Sequence, residues 1–145
     1  MFEYLYKIAT VWFLGFFPAF EIYVAVPAGI ALGLDSFSVL FFSVFGNFTP
    51  VLFIEYGHRW LMRFEWMRAR MNKPVSEKLE RYVNKYGIWY ILLATPWTGV
   101  WLMGISVKAL NINRKIFFRA ALCSIFLHGA VILVFIKMGI NLFTS

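Results

Sequence analysis

Phe16-Phe17-Pro18-Ala19-Phe20-Glu21-Ile22-Tyr23-Val24-Ala25-Val26-Pro27-Ala28-Gly29 lies in a long apolar run, yet it holds two prolines and a carboxylate. Each proline removes a backbone donor and pushes the residue before it out of the helical region. A carboxylate in hydrocarbon costs at least ~2.5 kcal/mol on insertion scales. A segment serving only as an anchor would carry neither feature. Interrupted backbone at membrane depth is tolerated where protein or a water-filled cavity surrounds it. The stretch therefore predicts a broken or re-entrant hairpin over residues 10–33 that lines a site, with Glu21 inside it.

Composition sets the frame for that hairpin. The 145 residues are 61% hydrophobic, 21% aromatic and only 14% charged, which fits the membrane class and is too apolar for a soluble domain of this size. A single membrane domain over 1–145 is expected, with repeat one at 8–56, a connector at 57–86 and repeat two at 87–138. The net charge of +7 sits in the segments between apolar runs. That placement follows the positive-inside bias and argues against nucleic acid as a partner. Cys123 is the single cysteine, so no intramolecular disulfide can form, and it reads as a small apolar packing residue. The amino end carries Glu3 and Lys7 in place of a basic cluster, with no small-residue cleavage site, so no cleaved signal is expected. No metal-ligand spacing, phosphate loop or nucleotide motif is present, and no cofactor is expected.

Working outward, residues 1–9 read as an interfacial turn with Tyr4 and Tyr6 at headgroup depth. Gly33-Leu34-Asp35-Ser36 closes the hairpin, and Asp35 or Ser36 suits the N-cap of the next helix. Residues 37–56 are long enough to span a core of about 30 Å. Gly46-Asn47-Phe48-Thr49-Pro50 interrupts them. Either this is a proline kink with small residues for helix contact, or Asn47 and the loosened carbonyls face the cavity of Glu21.

Residues 57–85 are the hydrophilic part, with eight Lys/Arg against Glu65, Glu77 and Glu80. Trp60, Leu61, Phe64, Met67 and Met71 recur at helical spacing, so 57–72 reads as a basic amphipathic helix on the membrane surface, ended by Lys73-Pro74. Arg59, Arg63, Arg68 and Arg70 are its surface cations, a solvated face toward anionic headgroups. Ser76 can cap a second short helix and Gly87 can end it. Residues 88–112 are apolar and broken again, at Thr95-Pro96-Trp97-Thr98-Gly99-Val100-Trp101-Leu102-Met103-Gly104. Asn111-Ile112-Asn113 closes this stretch, and a last apolar helix follows over about 116–136, with His128 and Gly129 in its middle.

An offset of 78 sets Pro18 on Pro96, Ala31-Leu32 on Ala109-Leu110 and Asp35 on Asn113. Each half is a broken stretch, a polar turn and a spanning segment, the pattern of an inverted repeat. Charge then selects the topology. With both broken stretches re-entrant, loop 57–85 and the group Lys108, Arg114, Lys115 and Arg119 share the cytoplasmic side, leaving only Lys7 and Lys137 outside. The expected fold is all-α and integral to the membrane: two opposed re-entrant hairpins, each followed by a transmembrane helix, joined by cytoplasmic amphipathic helices. Both termini lie outside, and the hairpin tips meet near the midplane. Two crossing helices shield two hairpins poorly, so a homodimer is expected.

Phe17-Pro18-x-x-Glu21-x-x-x-Ala25-x-Pro27-x-Gly29, Gly46-Asn47-x-x-Pro50 and Pro96-x-Thr98-Gly99-x-Trp101-x-x-Gly104 resemble the small multi-drug export protein family, in the family's order over about residues 14–140. That family is in turn similar to the DedA-type (SNARE-associated, or VTT) membrane proteins. The resemblance implies opposed re-entrant hairpins and a link to lipid flipping or scrambling and to proton-dependent transport. It implies Glu21, Asn47, Pro96, Thr98 and Gly99 as site positions. The family often has Arg two residues after the Glu, where this chain has Tyr23.

The leading reading is a small plasma-membrane transporter for an amphipathic substrate, either a lipophilic drug or an anionic lipid, working among membrane lipids and coupled to protons. Apolar surroundings favour the neutral acid at Glu21, so the group exchanges a proton as the site opens to water. Thr98-Gly99 at a hairpin tip could offer N–H groups to an anion. With Tyr23, Pro18, Pro27, Trp101 and His128, these residues complete the candidate site. A passive scramblase needs no proton, and a structural membrane protein would use Glu21 only in packing. An intramembrane enzyme would have to rest on Ser124 and His128, spaced i, i+4, but neither an oxyanion motif nor a third member accompanies them. No enzyme is expected.

Overall fold

The computed structural model describes residues 1–73, 76–110 and 112–144. Among them there are helices and no strands: α1 (Phe2–Phe16), α2 (Glu21–Ala31), α3 (Ser36–Tyr56), α4 (His58–Leu61), α5 (Glu65–Met71), α6 (Glu77–Tyr86), α7 (Ile88–Thr98), α8 (Val100–Ala109) and α9 (Arg114–Thr144). Among the described residues, α3 and α9 are the helices long and apolar enough to cross a membrane. At ~1.5 Å per residue the other helices fall short of a core of about 30 Å. The chain divides into two compact units, residues 1–48 with 125–145, and residues 49–124.

In the first unit, α1 and α2 pack along each other as a hairpin. The expected interfacial turn over 1–9 is instead the start of α1. Lys7 Nζ lies 2.7 Å from Glu3 Oε1 at i, i+4, and Thr10 donates to the Tyr6 carbonyl, so these three side chains are paired within the helix. The chain breaks at 17–20, where Pro18 cannot continue the helix. Rings collar that tip: Trp12 with Phe16 and Phe17 with Phe20, each pair with centroids 5.5 Å apart. Pro27 and Pro50 do not break their helices. Each removes only one donor, and the residues around it stay helical.

Asp35 caps α3 as its residue type suggests. Its Oδ1 accepts the Ser38 N–H at 3.0 Å and its Oδ2 accepts the Ser38 hydroxyl at 2.5 Å. Ser38 has thereby given away its only hydroxyl proton, so the Tyr4 hydroxyl, 2.8 Å from Ser38 Oγ, is the donor in that pair. α1 and α3 also meet through glycines. A Cβ on Gly15 would stand 2.8 Å from the Ser43 carbonyl oxygen, and one on Gly46 would overlap the Trp12 carbonyl. Only residues without side chains allow backbones this close. Val11, Ile22, Ala25, Val26 and Val39 are buried in this unit.

In the second unit, Ile54, Leu61 and Ile105 form a buried cluster with Trp101 against it. The expected helix over 57–72 is two short ones, because Phe64 takes an extended conformation between α4 and α5. Leu61 is buried while Trp60 and Phe64 are exposed, so the apolar stripe does not lie on one helix face. Ser76 occupies the N-cap of α6 without a side-chain cap bond, and Gly87 ends α6 at φ +55. Lys73-Pro74 falls partly outside the described residues, as Asn111 does entirely. The last helix, α9, runs further than expected in both directions.

Candidate functional site

The tip of the first hairpin is held by one carbonyl. Phe17 O accepts the N–H groups of Phe20 and Glu21, both at 3.1 Å. The chain then enters α2 through Glu21 at φ +49, the one described non-glycine residue with a positive φ. A side chain in this left-handed region costs roughly 1–2 kcal/mol. The Glu21 residue is also only 8% exposed. Strain and a buried carboxylate thus coincide at one position, the amino end of a helix, where the backbone dipole favours negative charge.

A second polar element lies on α3. Positions 40, 43 and 47 share one helix face. A Cβ on Gly129 of α9 would lie 3.1 Å from Leu40 Cδ1 and 3.2 Å from Ile22 Cδ1, so the first turn of α2 sits beside this part of α3. Ser43 and Asn47 follow Leu40 by about 5 Å and 10 Å along the helix axis. Ser43 is 0% exposed and Asn47 1%, and Ser43 Oγ, Asn47 Nδ2 and Asn47 Oδ1 have no hydrogen-bond partner among the described residues. A buried polar group left unsatisfied costs about 1–3 kcal/mol. The Gly46 contact beside Asn47 is helix packing, made without a break at Pro50.

The second break falls at Gly99, φ +82, between α7 and α8. It stands 78 residues after Glu21, so the offset that pairs Pro18 with Pro96 also pairs Glu21 with Gly99, two of the four described residues with a positive φ. Asp35 and Asn113 are paired by it as well. Asn113 Oδ1 accepts the Lys115 N–H at the start of α9. Thr98 donates its hydroxyl to Ala94 O, and the Gly99 N–H goes to Thr95 O, so both groups are engaged with their own helix. Pro96 has no N–H to offer Leu92, its i−4 carbonyl. Ser124 of α9 supplies the missing donor, with Oγ 2.6 Å from Leu92 O. That gives Ser124 a structural task, the repair of a proline-freed carbonyl.

The other expected positions are dispersed. Pro18, Tyr23 and Pro27 are exposed, Trp101 and His128 are half-buried, and Trp101 belongs to the Ile54 cluster. Arg59, Arg63 and Arg68 are exposed, with Arg68 Nη2 3.9 Å from Glu65 Oε1. The side chains of Arg70 and Pro96 lie outside those described. Ser43 was missed by sequence reasoning, although its place four residues before Asn47 was a usable signal. Among the described residues no cluster of His, Cys, Asp and Glu could hold a metal ion.

A family model described as "Putative small multi-drug export protein" matches residues 21–131, a segment that begins at Glu21 and takes in Asn47 and Gly99. No curated protein and no solved structure matches the chain.

Proposed function

The chain belongs to the small multi-drug export protein family, and on that premise we propose that it is a membrane transporter of amphipathic molecules, lipids or lipophilic drugs, with protons exchanged at Glu21. The family is one of export proteins and not an enzyme class. Membrane location follows from the family and from the two apolar helices α3 and α9.

The observation that carries the reading is Glu21, a carboxylate 8% exposed and held at φ +49. Such strain persists where the surrounding structure over-determines it, and it gathers at functional sites. When the site opens to water on one side, the ionised form is solvated and the proton leaves. Closure takes a proton up. The Asn47 amide can both donate to and accept from the polar part of a substrate, and Ser43 extends that polar strip by one turn. Helices α1 and α2, and α7 and α8, are re-entrant in this reading. Loop 57–85 faces the cytoplasm of a plasma-membrane protein, and a second copy covers the interrupted backbone as a homodimer.

The test is reconstitution into vesicles with an imposed pH gradient, using a fluorescent lipid analogue and a lipophilic dye as probes. The native protein is expected to move at least one probe in response to the gradient. Glu21→Gln, equal in volume and without an exchangeable proton, is expected not to. Equal, gradient-independent movement by both proteins would remove Glu21 from the mechanism and leave a passive scramblase.

A further inference from the structure

The second unit holds a cavity of about 620 Å³ that the transport reading does not use, lined by Glu55, Lys108, Ile112, Asn113, Arg114 and Lys115. Its volume lies within the range of about 300–1,000 Å³ of small-molecule sites. Three cations face one carboxylate. Lys108 has a structural task, since its Nζ donates to the carbonyls of Ile54 at 3.3 Å and Glu55 at 3.1 Å, closing the end of α3. Arg114 and Lys115 are different. They stand at the first two positions of α9, a helix with no acidic residue in its first turn. Cations are favoured at helix C-termini and disfavoured at N-termini. The sequence thus places two positive charges on the positive end of a dipole, an arrangement that an anion would relieve.

Glu55 supplies only part of that anion. Its Oε2 is 3.4 Å from Lys108 Nζ and its Oε1 is 3.3 Å from Arg114 Nη1. Both distances exceed the roughly 2.7–2.9 Å of a well-formed charge-assisted bond. The Lys115 ammonium has no carboxylate partner among the described residues. The location indicates which anion fits: α3 ends at Tyr56 and α9 begins at Arg114, so both candidate spans start their apolar course at this cavity. Headgroups of anionic lipids lie at that depth, and basic pockets between spanning helices hold them.

We infer that this cavity binds the phosphate of an anionic lipid headgroup. Arg114 and Lys115 take the phosphate oxygens at the amino end of α9, and Glu55 is displaced as a weak internal competitor. None of the residues that line it belongs to the Glu21 site.

The experiment uses the full chain in mild detergent at constant ionic strength, with melting temperature as the readout. The probes are dihexanoyl phosphatidylglycerol, dihexanoyl phosphatidylcholine and sodium phosphate. The phosphatidylglycerol is expected to raise the melting temperature and the phosphatidylcholine is not. Arg114 and Lys115 are exposed, so the double variant Arg114→Gln/Lys115→Gln should fold, and it should need ~tenfold more phosphatidylglycerol for the same shift. Lys78→Gln/Arg81→Gln, exposed on α6, equal in charge change and outside the cavity lining, should respond as the native protein does. Glu55→Gln should respond at lower concentration. No phosphatidylglycerol-dependent shift, or a shift undiminished in Arg114→Gln/Lys115→Gln, overturns the site. An equal shift with sodium phosphate alone assigns the anion to a soluble phosphate and overturns the lipid source.

Discussion

Glu21 offers a way to separate strain from charge. Replacing it by Ala and by Gly removes the carboxylate and almost the same volume in both cases. The two variants differ by a single Cβ at φ +49. That Cβ costs roughly 1–2 kcal/mol in the left-handed region. Glycine gives back about 0.4–1 kcal/mol through the greater freedom of its unfolded chain. The balance leaves Glu21→Gly more stable than Glu21→Ala by about 1 kcal/mol, or about 2–4 °C in melting temperature for a chain of this size. The assay is thermal unfolding in mild detergent followed by circular dichroism, with gradient-driven probe movement measured in parallel. Both variants are expected to lose transport. An alanine variant as stable as the glycine variant would show that position 21 is not left-handed, and the argument from strain would fall with it.

Asn47→Leu keeps the volume and deletes an amide without partners, so it should raise stability by about 1–3 kcal/mol while abolishing probe movement; a lower melting temperature would mean that the amide is bonded within the protein. Ser124→Ala should cost about 1–3 kcal/mol by orphaning the Leu92 carbonyl. In a Pro96→Ala background, where an N–H returns at i+4, it should cost measurably less, and a double-mutant cycle reading zero coupling would refute the repair. Ser38, through its hydroxyl and its N–H, holds the Asp35 carboxyl below the usual 3.8, and Lys7 lowers Glu3 in the same way. A depressed folded value means that the stabilisation is complete above about pH 5 and lost as pH falls through the folded value. Melting temperatures between pH 7 and pH 3 should therefore fall less steeply for Asp35→Asn than for the native chain.

What the sequence disclosed was local. A carboxylate inside an apolar run marked Glu21, Pro18 marked the break beside it, and Asp35 marked a cap that closes within three residues. Pro27 and Pro50 misled because a proline states only that one donor is missing. Whether the helix survives depends on packing around it, and here it does. The role of Ser124 was hidden because its acceptor lies 32 residues away. The same holds for Lys108, whose carbonyl partners are 53 and 54 residues distant. Gly46 suggested helix contact, but nothing in its own neighbourhood named Trp12. The wrong single helix over 57–72 came from a real apolar period, which the extended Phe64 divides.

In the proposed transport reading, the glycine crossing bears on the range of compounds the protein can accept. Where α1 lies on α3, backbone meets backbone at Gly15 and Gly46, and no side chain is present to rotate out of the way. These two helices form a stiff wall, with the Asn47 amide fixed in it. The first turn of α2 meets its neighbours through Ile22, an aliphatic side chain with rotamers to spare. In the proposed transport reading, a cleft that opens between this polar wall and the compliant α2 keeps the same hydrogen-bonding groups in place while its width changes. Breadth of substrate choice then needs no change in polar recognition, only a softer fit on the other side.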